Sequence, residues 1–308
     1  MEAYSHKKGS RHASKGVLFV GMLILVAMLL AACGSNTTTG GGSTPTANPA
    51  TPTVAPPSDL ITAGTLTVGS DTTYPPQEFV DPTTGQATGF DIDLITAMAQ
   101  QMGLKTTILK ANFNTIVDDL VAKRYDVVIS AQTINDERKK KVDFVPYFSA
   151  GESLLVQNSN PLNIKSVNDL CGQTVGVQDG TVELDDLNAA SKSCTGAGKQ
   201  AIKLTILKDQ TDVIQLLVNK RVVATYQDSP VTDYYIKLNP GQFQIGGSVV
   251  NAAPEGISVR KGDTSMFNAI QSAFQRVKSD GTYDALFKKW QLNDVQKISL
   301  SDRRTIYA

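Results

Sequence analysis

The sequence predicts an α/β protein built as two lobes. Three observations predict it. About 250 of the 308 residues follow Asp59, enough for two domains with real cores. Along them, apolar runs of strand length alternate with helical periodicity. The alternation restarts after Lys141 as a second set of elements.

The N-terminus stands apart from both sets. Residues 17–30 are an apolar run of 14, with Lys7, Lys8, Arg11 and Lys15 ahead of it and Ala31-Ala32-Cys33 behind. A basic start, a short apolar stretch and small residues before a cut predict a secretory signal over 1–32, too short to span a bilayer as mature structure. Cysteine directly after the small residues resembles the lipobox of bacterial lipoproteins. The resemblance implies that lipidated Cys33 anchors an extracytoplasmic protein to the outer face of the cytoplasmic membrane. Residues 33–58 then read as the anchored tether, flexible where Gly and Ser dominate and stiffer across Pro45 to Pro57, with a reach on the order of 30 Å.

Both histidines, His6 and His12, fall in the signal, so the remaining chain has none. That excludes Ser-His-Asp and Cys-His catalysis and His-containing zinc sites; no catalytic residue, metal or cofactor is expected. The signal also carries four of the 29 basic residues and one of the 29 acidic ones, leaving a slightly acidic remainder for which nucleic acid is not an expected partner. Cys171 and Cys194 are the remaining cysteines. They read as one disulfide in an oxidising location or as two buried free thiols.

In the first set, residues 66–69 read as a strand, 91–102 as an amphipathic helix ended by Gly103, and 105–110 as the next strand. A helix over 113–123 with Ile116, Val117, Leu120 and Val121 on one face precedes a buried strand over 126–130. In the second set, strands are expected at 153–157, 174–178, 203–207 and 222–226. Helices are expected at 182–190, 210–219, 264–278 and 282–290, the last two separated by Asp280-Gly281. Nothing repeats at a fixed short period.

Open α/β sheets bind ligands at the C-terminal ends of their strands. Asp71 and Tyr74 follow the first strand; Ala131, Gln132 and Thr133, with Arg138 beyond, follow 126–130; Gln178, Gly180 and Thr181 follow 174–177; Asp228 follows 222–226. An arginine fork and free N–H groups at a helix start suit a carboxylate, and an acid opposite suits an ammonium, so together they describe a zwitterion site. Singly, Asp71 and Asp228 read as turn or cap residues, Arg138 as one charge of a solvated face, and Tyr74 and Phe113 as core.

The order of several blocks along the chain resembles family 3 of the bacterial solute-binding proteins. They are Leu66-Thr67-Val68-Gly69-Ser70-Asp71 with Tyr74-Pro75-Pro76, Gly89-Phe90-Asp91-Ile92-Asp93, Tyr125-Asp126-Val127-Val128, Thr133 to Arg138, Gln227-Asp228-Ser229-Pro230, and Gly281-Thr282-Tyr283 to Trp290. The resemblance implies a two-lobed type II periplasmic-binding-protein-like fold. Lobe 1 would comprise 59–149 plus 254–308 and lobe 2 150–253, with a two-segment hinge near 149–153 and 251–255. It implies a monomer that captures a polar amino acid and works with the permease and ATPase of an ABC importer.

Carried over, Arg138 grips the substrate carboxylate with N–H groups of Thr133 and Thr181. Asp228 and the Ala131 carbonyl take the ammonium, to which Thr133 adds its hydroxyl. Tyr74 and Phe113 sandwich the side chain, and Asp71 reaches its far end with Gln132 and Gln178 nearby. A terminal carboxylate and facing aromatics favour arginine, lysine, ornithine or histidine, with glutamine as the alternative. Glutamate and aspartate are disfavoured because no extra cation is evident. The chain departs from the family at Gln77, often phenylalanine, at Arg221-Val222-Val223-Ala224, often Gly-x-Val-Asp, and at Val182, elsewhere small. A dehydratase-type enzyme or a ligand sensor on the same fold are the rival readings.

Overall fold

The computed structural model describes residues 53–298; the expected signal, Cys33, most of the tether and residues 299–308 lie outside them. The chain enters β1 (Thr65–Ser70), β2 (Thr73–Tyr74), β3 (Glu78–Val80) and β4 (Ala87–Thr88), then α1 (Phe90–Gln101), β5 (Lys105–Lys110), α2 (Ile116–Val121), β6 (Val127–Val128) and α3 (Asp136–Lys141). The long β7 (Val142–Gln157) leads to β8 (Thr174–Gln178), α4 (Val182–Gly196), β9 (Lys203–Leu207), α5 (Gln210–Val218), β10 (Ala224–Asp228), α6 (Ser229–Leu238) and β11 (Phe243–Ile245). A second long strand, β12 (Val250–Arg260), returns to α7 (Thr264–Ser279) and α8 (Thr282–Lys289). The mixed α/β class expected from the sequence is the observed one.

Eight strands run in the order β5-β1-β6-β12-β7-β10-β8-β9, with β11 beside β7. Parallel pairs β5-β1-β6 lie at one end and β10-β8-β9 at the other. Antiparallel β12 and β7 join them, paired from Val250↔Glu152 to Arg260↔Val142 with register breaks between Val250 and Ala253 and between Glu255 and Gly256. The two segments expected to be the hinge are therefore hydrogen-bonded neighbours, Ala253 opposite Ala150 and Pro254 opposite Ser149.

Each half covers its sheet with helices. In α1 the buried Phe90, Leu94, Ile95, Met98 and Ala99 recur at helical spacing, Asp91 and Asp93 sit in the first turn where the helix dipole favours them, and Gly103 takes φ 70° just past the end. Phe90 meets Phe287 with ring centres 5.0 Å apart and Phe148 at 5.5 Å, which ties α1, α8 and β7 into one core. A second core lies under α4, with Leu154, Val175, Val177, Leu187 and Tyr226 buried. A third cluster joins Tyr74 and Ala131 to Leu155, Ile214 and Val231 of the second half.

Several elements differ from the expected ones. The helix expected at 113–123 starts at Ile116, because Asn112 Oδ1 accepts the Asn114 N–H at 3.1 Å and holds a turn there. The strand expected at 153–157 is the end of the 16-residue β7. Strand β12, helices α3 and α6, and the small β2-β3-β4 sheet were not expected.

Cys171 and Cys194 are bonded, with Cα atoms 5.6 Å apart, which resolves the alternatives left open by the sequence. The bond joins the segment before β8 to the end of α4 across a sequence separation of 23. Replacing both cysteines by serine should cost about 3 kcal/mol, the value expected for closing a loop of this order. Urea unfolding of the double variant checks this; an unchanged midpoint would contradict it.

Candidate functional site

The site lies where the C-terminal ends of four strands meet between the halves. β1 ends into Asp71; β6 runs into Ser130-Ala131-Gln132-Thr133; β8 ends in Gln178 ahead of α4; β10 ends in Asp228 ahead of α6. Local chemistry fixes each end. Asn135 Oδ1 accepts the Arg138 N–H at 2.9 Å, capping α3 and setting the arginine in its first turn. The Thr181 hydroxyl accepts the Leu184 N–H at 3.2 Å and caps α4. Ala131 takes φ 45° and donates its N–H to Asp91 Oδ2 at 3.1 Å.

Between the halves is a small enclosed cavity of about 10 Å³, room for about one water. Of the residues expected at the site, Tyr74, Phe113, Ala131, Thr133, Arg138, Gln178, Thr181 and Asp228 line it. Arg138 Nη1 donates to the Thr133 carbonyl at 2.7 Å and Nη2 to the Gly180 carbonyl, in the other half, at 3.1 Å; its guanidinium lies 5.3 Å from the Phe113 ring centre. The Tyr74 hydroxyl donates to Asp228 Oδ2 and accepts the Asp228 N–H, both at 3.0 Å.

Two expected residues lie off the cavity wall. Asp71 is fully buried behind Gln178, whose Nε2 donates to Asp71 Oδ2 at 2.7 Å; the Thr73 hydroxyl donates to the same oxygen at 2.7 Å. Gln132 turns toward β12, where its Oε1 accepts the Ser258 hydroxyl. Conversely, Val182 and Glu183 line the cavity. Glu183 was not expected: an acid in the first turn of a helix reads from sequence as a dipole partner. The available signal was its place two residues after Thr181, on the turn that follows β8.

The two halves touch closely around this cavity. Asn114 Nδ2 donates to Asp179 Oδ2 at 2.8 Å, and Lys110 pairs with Asp209 at 2.9 Å on the rim. Gly180 has φ 78°, and a Cβ there would stand 2.7 Å from Asn114 Cα. The backbone approach at this seam needs glycine.

The seam concentrates buried charge. Burial lowers the Arg138 guanidinium from its ordinary range. Burial raises the Asp228 carboxyl to about 7 and the Asp71 carboxyl to about 6. Burial, then the Asp228 and Glu152 carboxylates, push Glu183 well above the usual range. No carboxylate comes within ion-pair distance of Arg138 among the described residues. Asp71 Oδ1 and Glu183 Oε1 have no hydrogen-bond partner there either. An acid and a base held apart in one enclosed space can receive a molecule carrying both opposite charges. No group of three or more metal-ligating side chains occurs among the described residues.

Residues 66–293 match the sequence profile of the bacterial extracellular solute-binding proteins, family 3. The chain is similar to the L-cystine-binding protein TcyJ of Escherichia coli (strain K12), 32% identical over 235 residues that cover 76% of this chain and 85% of that one. It is similar to the arginine-binding protein ArgT of Corynebacterium glutamicum, 30% identical over 239 residues covering 77% and 78%. Among solved structures it resembles an ancestral arginine-binding protein bound to arginine, with a TM-score of 0.67, 39% identity, and coverage of 74% of this chain and 98% of that one.

The buried carboxyls set a pH dependence. Asp71 and Asp91 near 6 and Asp228 and Glu152 near 7 keep protons in the folded chain that an unfolded chain has already lost. The folded state therefore binds more protons. Its stability is full below the ordinary carboxylate range and falls as pH rises through 6 to 7. Thermal unfolding of the ligand-free protein should show a lower midpoint at pH 8 than at pH 5; the reverse order would contradict these buried acids.

Proposed function

Because the chain belongs to the bacterial extracellular solute-binding proteins, family 3, we propose that it is the substrate-binding lipoprotein of an ABC importer. It captures a polar amino acid by closure of two lobes and delivers it to the membrane permease. The observation that carries this is the pairing of Arg138 with Asp228 on one enclosed cavity: a guanidinium for the α-carboxylate and a carboxylate for the α-ammonium. Lobe 1 is 59–149 plus 254–308, lobe 2 is 150–253, and the paired segments near 149–153 and 251–255 bend as the hinge. Separate apolar cores in the two halves support that division.

Binding without turnover fits a site of opposite charges held apart among hydrogen-bond donors, and both relatives above carry binding-protein names. Anchoring runs through Cys33. No helix among the described residues is long and apolar enough to cross a membrane.

A cationic amino acid, arginine, lysine, ornithine or histidine, is the favoured substrate. Asp71, Asp228 and Glu183 outnumber Arg138, and the Phe113 ring lines the same cavity. A neutral polar ligand, glutamine or cystine, is the second reading. It is favoured by the Gln178 amide, which stands on the wall in front of Asp71.

Calorimetric titration of the purified protein, freed of carried-over ligand, with the amino acids and cystine tests both readings. Saturable one-to-one binding is expected, weakened about a hundredfold in Arg138→Ala and in Asp228→Asn because each leaves a buried ligand charge unpaired. Tighter binding of arginine than of its neutral isostere citrulline supports the cationic reading, and the reverse supports the neutral one. Silence across the whole panel, or recovery of a chemically altered ligand, would overturn the proposal.

A further inference from the structure

We propose that Glu152 and Asp186 are positioning residues: sharing one proton, they clasp α4 to the crossing strands, and losing it loosens the cavity wall that α4 carries. Amino acid affinity is thereby tuned by pH at a place the ligand does not touch. The proposal rests on the amino-acid-binding reading above and goes beyond it.

Three elements meet at the register break between Val250 and Ala253. Glu152 of β7 is 6% exposed and lies opposite both Val250 of β12 and Asp228 of β10. Asn251, inside the break, has φ 51°, and its Nδ2 donates to Glu152 Oε2 at 3.2 Å and to Asp186 Oδ2 at 2.7 Å. Asp186 sits in α4 just past Val182 and Glu183, which line the cavity. One amide and two carboxyl groups thus tie the start of α4 to β7 and β12.

Two ionised carboxylates on one amide repel each other. Glu152 and Asp186 are also within hydrogen-bonding reach of each other, a contact that needs one proton between them. The other groups facing Glu152 are the Tyr226 hydroxyl, which donates to Oε2 at 2.6 Å, and the carboxyls of Asp228 and Glu183. No lysine or arginine ion-pairs with Glu152 or Asp186 among the described residues, and Arg138 acts on Glu183 and Asp228 instead. With no cation to neutralise the pair, a proton holds it, and burial raises the Glu152 carboxyl to about 7.

The clasped form binds one proton more than the loosened form, so proton and ligand favour the same form and each strengthens the other. As pH rises through 7 the pair becomes fully charged, the first turn of α4 loses its hold, and affinity falls. A direct electrostatic influence on a cationic ligand has the opposite sign, because ionised carboxylates attract it more strongly as pH rises.

Calorimetric titration with arginine, glutamine and cystine at pH 6 and pH 8 compares wild type with Asp186→Asn. The amide donates the bridging hydrogen bond at both pH values, and Asp228, on which Asp186 does not act, titrates alike in the two proteins. The ratio of Kd at pH 8 to Kd at pH 6 should be about tenfold larger in wild type, the linkage of one pKa unit, with the two proteins within about twofold at pH 6. Glu152→Gln, which also replaces an acid by a donor, serves as a second variant with the same direction. Equal ratios, a smaller ratio in wild type, or a loss in the variants that is the same at both pH values would overturn the proposal while leaving the binding reading intact. Failure of the wild type to bind any of the three at either pH would remove that reading and the proposal with it.

Discussion

Everything at the seam follows from one electrostatic constraint: more carboxylate than cation is withdrawn from water there. Asp71, Asp228 and Glu183 are buried beside the half-buried Arg138, and among the described residues no ion pair joins the two signs. A buried carboxylate without a partner is expensive, and it answers by holding a proton or by acquiring a cation. On the proposed function, the closed arrangement is favoured when a ligand supplies that positive charge, and its own carboxylate meets Arg138. Closure and recognition are then one event, since a ligand shifts the lobes only by as much as it prefers the closed state.

The fold makes this possible by running two strands through both halves. β7 and β12 carry the cores of either side on their two ends and meet at a register break beside the cavity. The break is tied to the loop after β6. Ile134 N–H bonds the Pro254 carbonyl at 2.8 Å, Gly256 N–H bonds the Gln132 carbonyl at 3.0 Å, and Asp91 receives both the Ala131 N–H and the Tyr147 hydroxyl of β7. Glu255, at the break, accepts a hydrogen bond from the Gln77 side chain. The crossing strands are thus joined by hydrogen bonds to residues 131–134.

Much of this was legible in the sequence, for reasons visible in the structure. Strands at 105–110, 174–178 and 203–207 fall where expected, because in parallel pairs next to helices a short apolar run bounded by turns has few alternatives. β7 and β12 were hidden by Asp143, Pro146, Glu152, Pro254 and Glu255, which break the strand pattern and are accommodated only by partners distant in sequence. Glu152, for example, accepts the Tyr226 hydroxyl at 2.6 Å. The chemical residues at strand ends could be read in order along the chain, and eight of them line one cavity. Glu183 offered only its place two residues after Thr181, because its nearness to Asp228 is a product of how β8 and β10 pair. Gln132 and Asp71 could be named but not aimed: a sequence gives a residue's place on a strand end, and neighbours such as Ser258 and Gln178 decide its direction.

The central claim, that ligand charge drives closure, is tested most directly by the distance between the lobes. Spin labels on exposed Lys123 and Lys192, one in each proposed lobe, report it by pulsed electron resonance. A distribution that is long and broad in ligand-free protein and becomes short and single under saturating amino acid is the predicted result. An unchanged distribution, under conditions where calorimetry records full binding, would contradict the account.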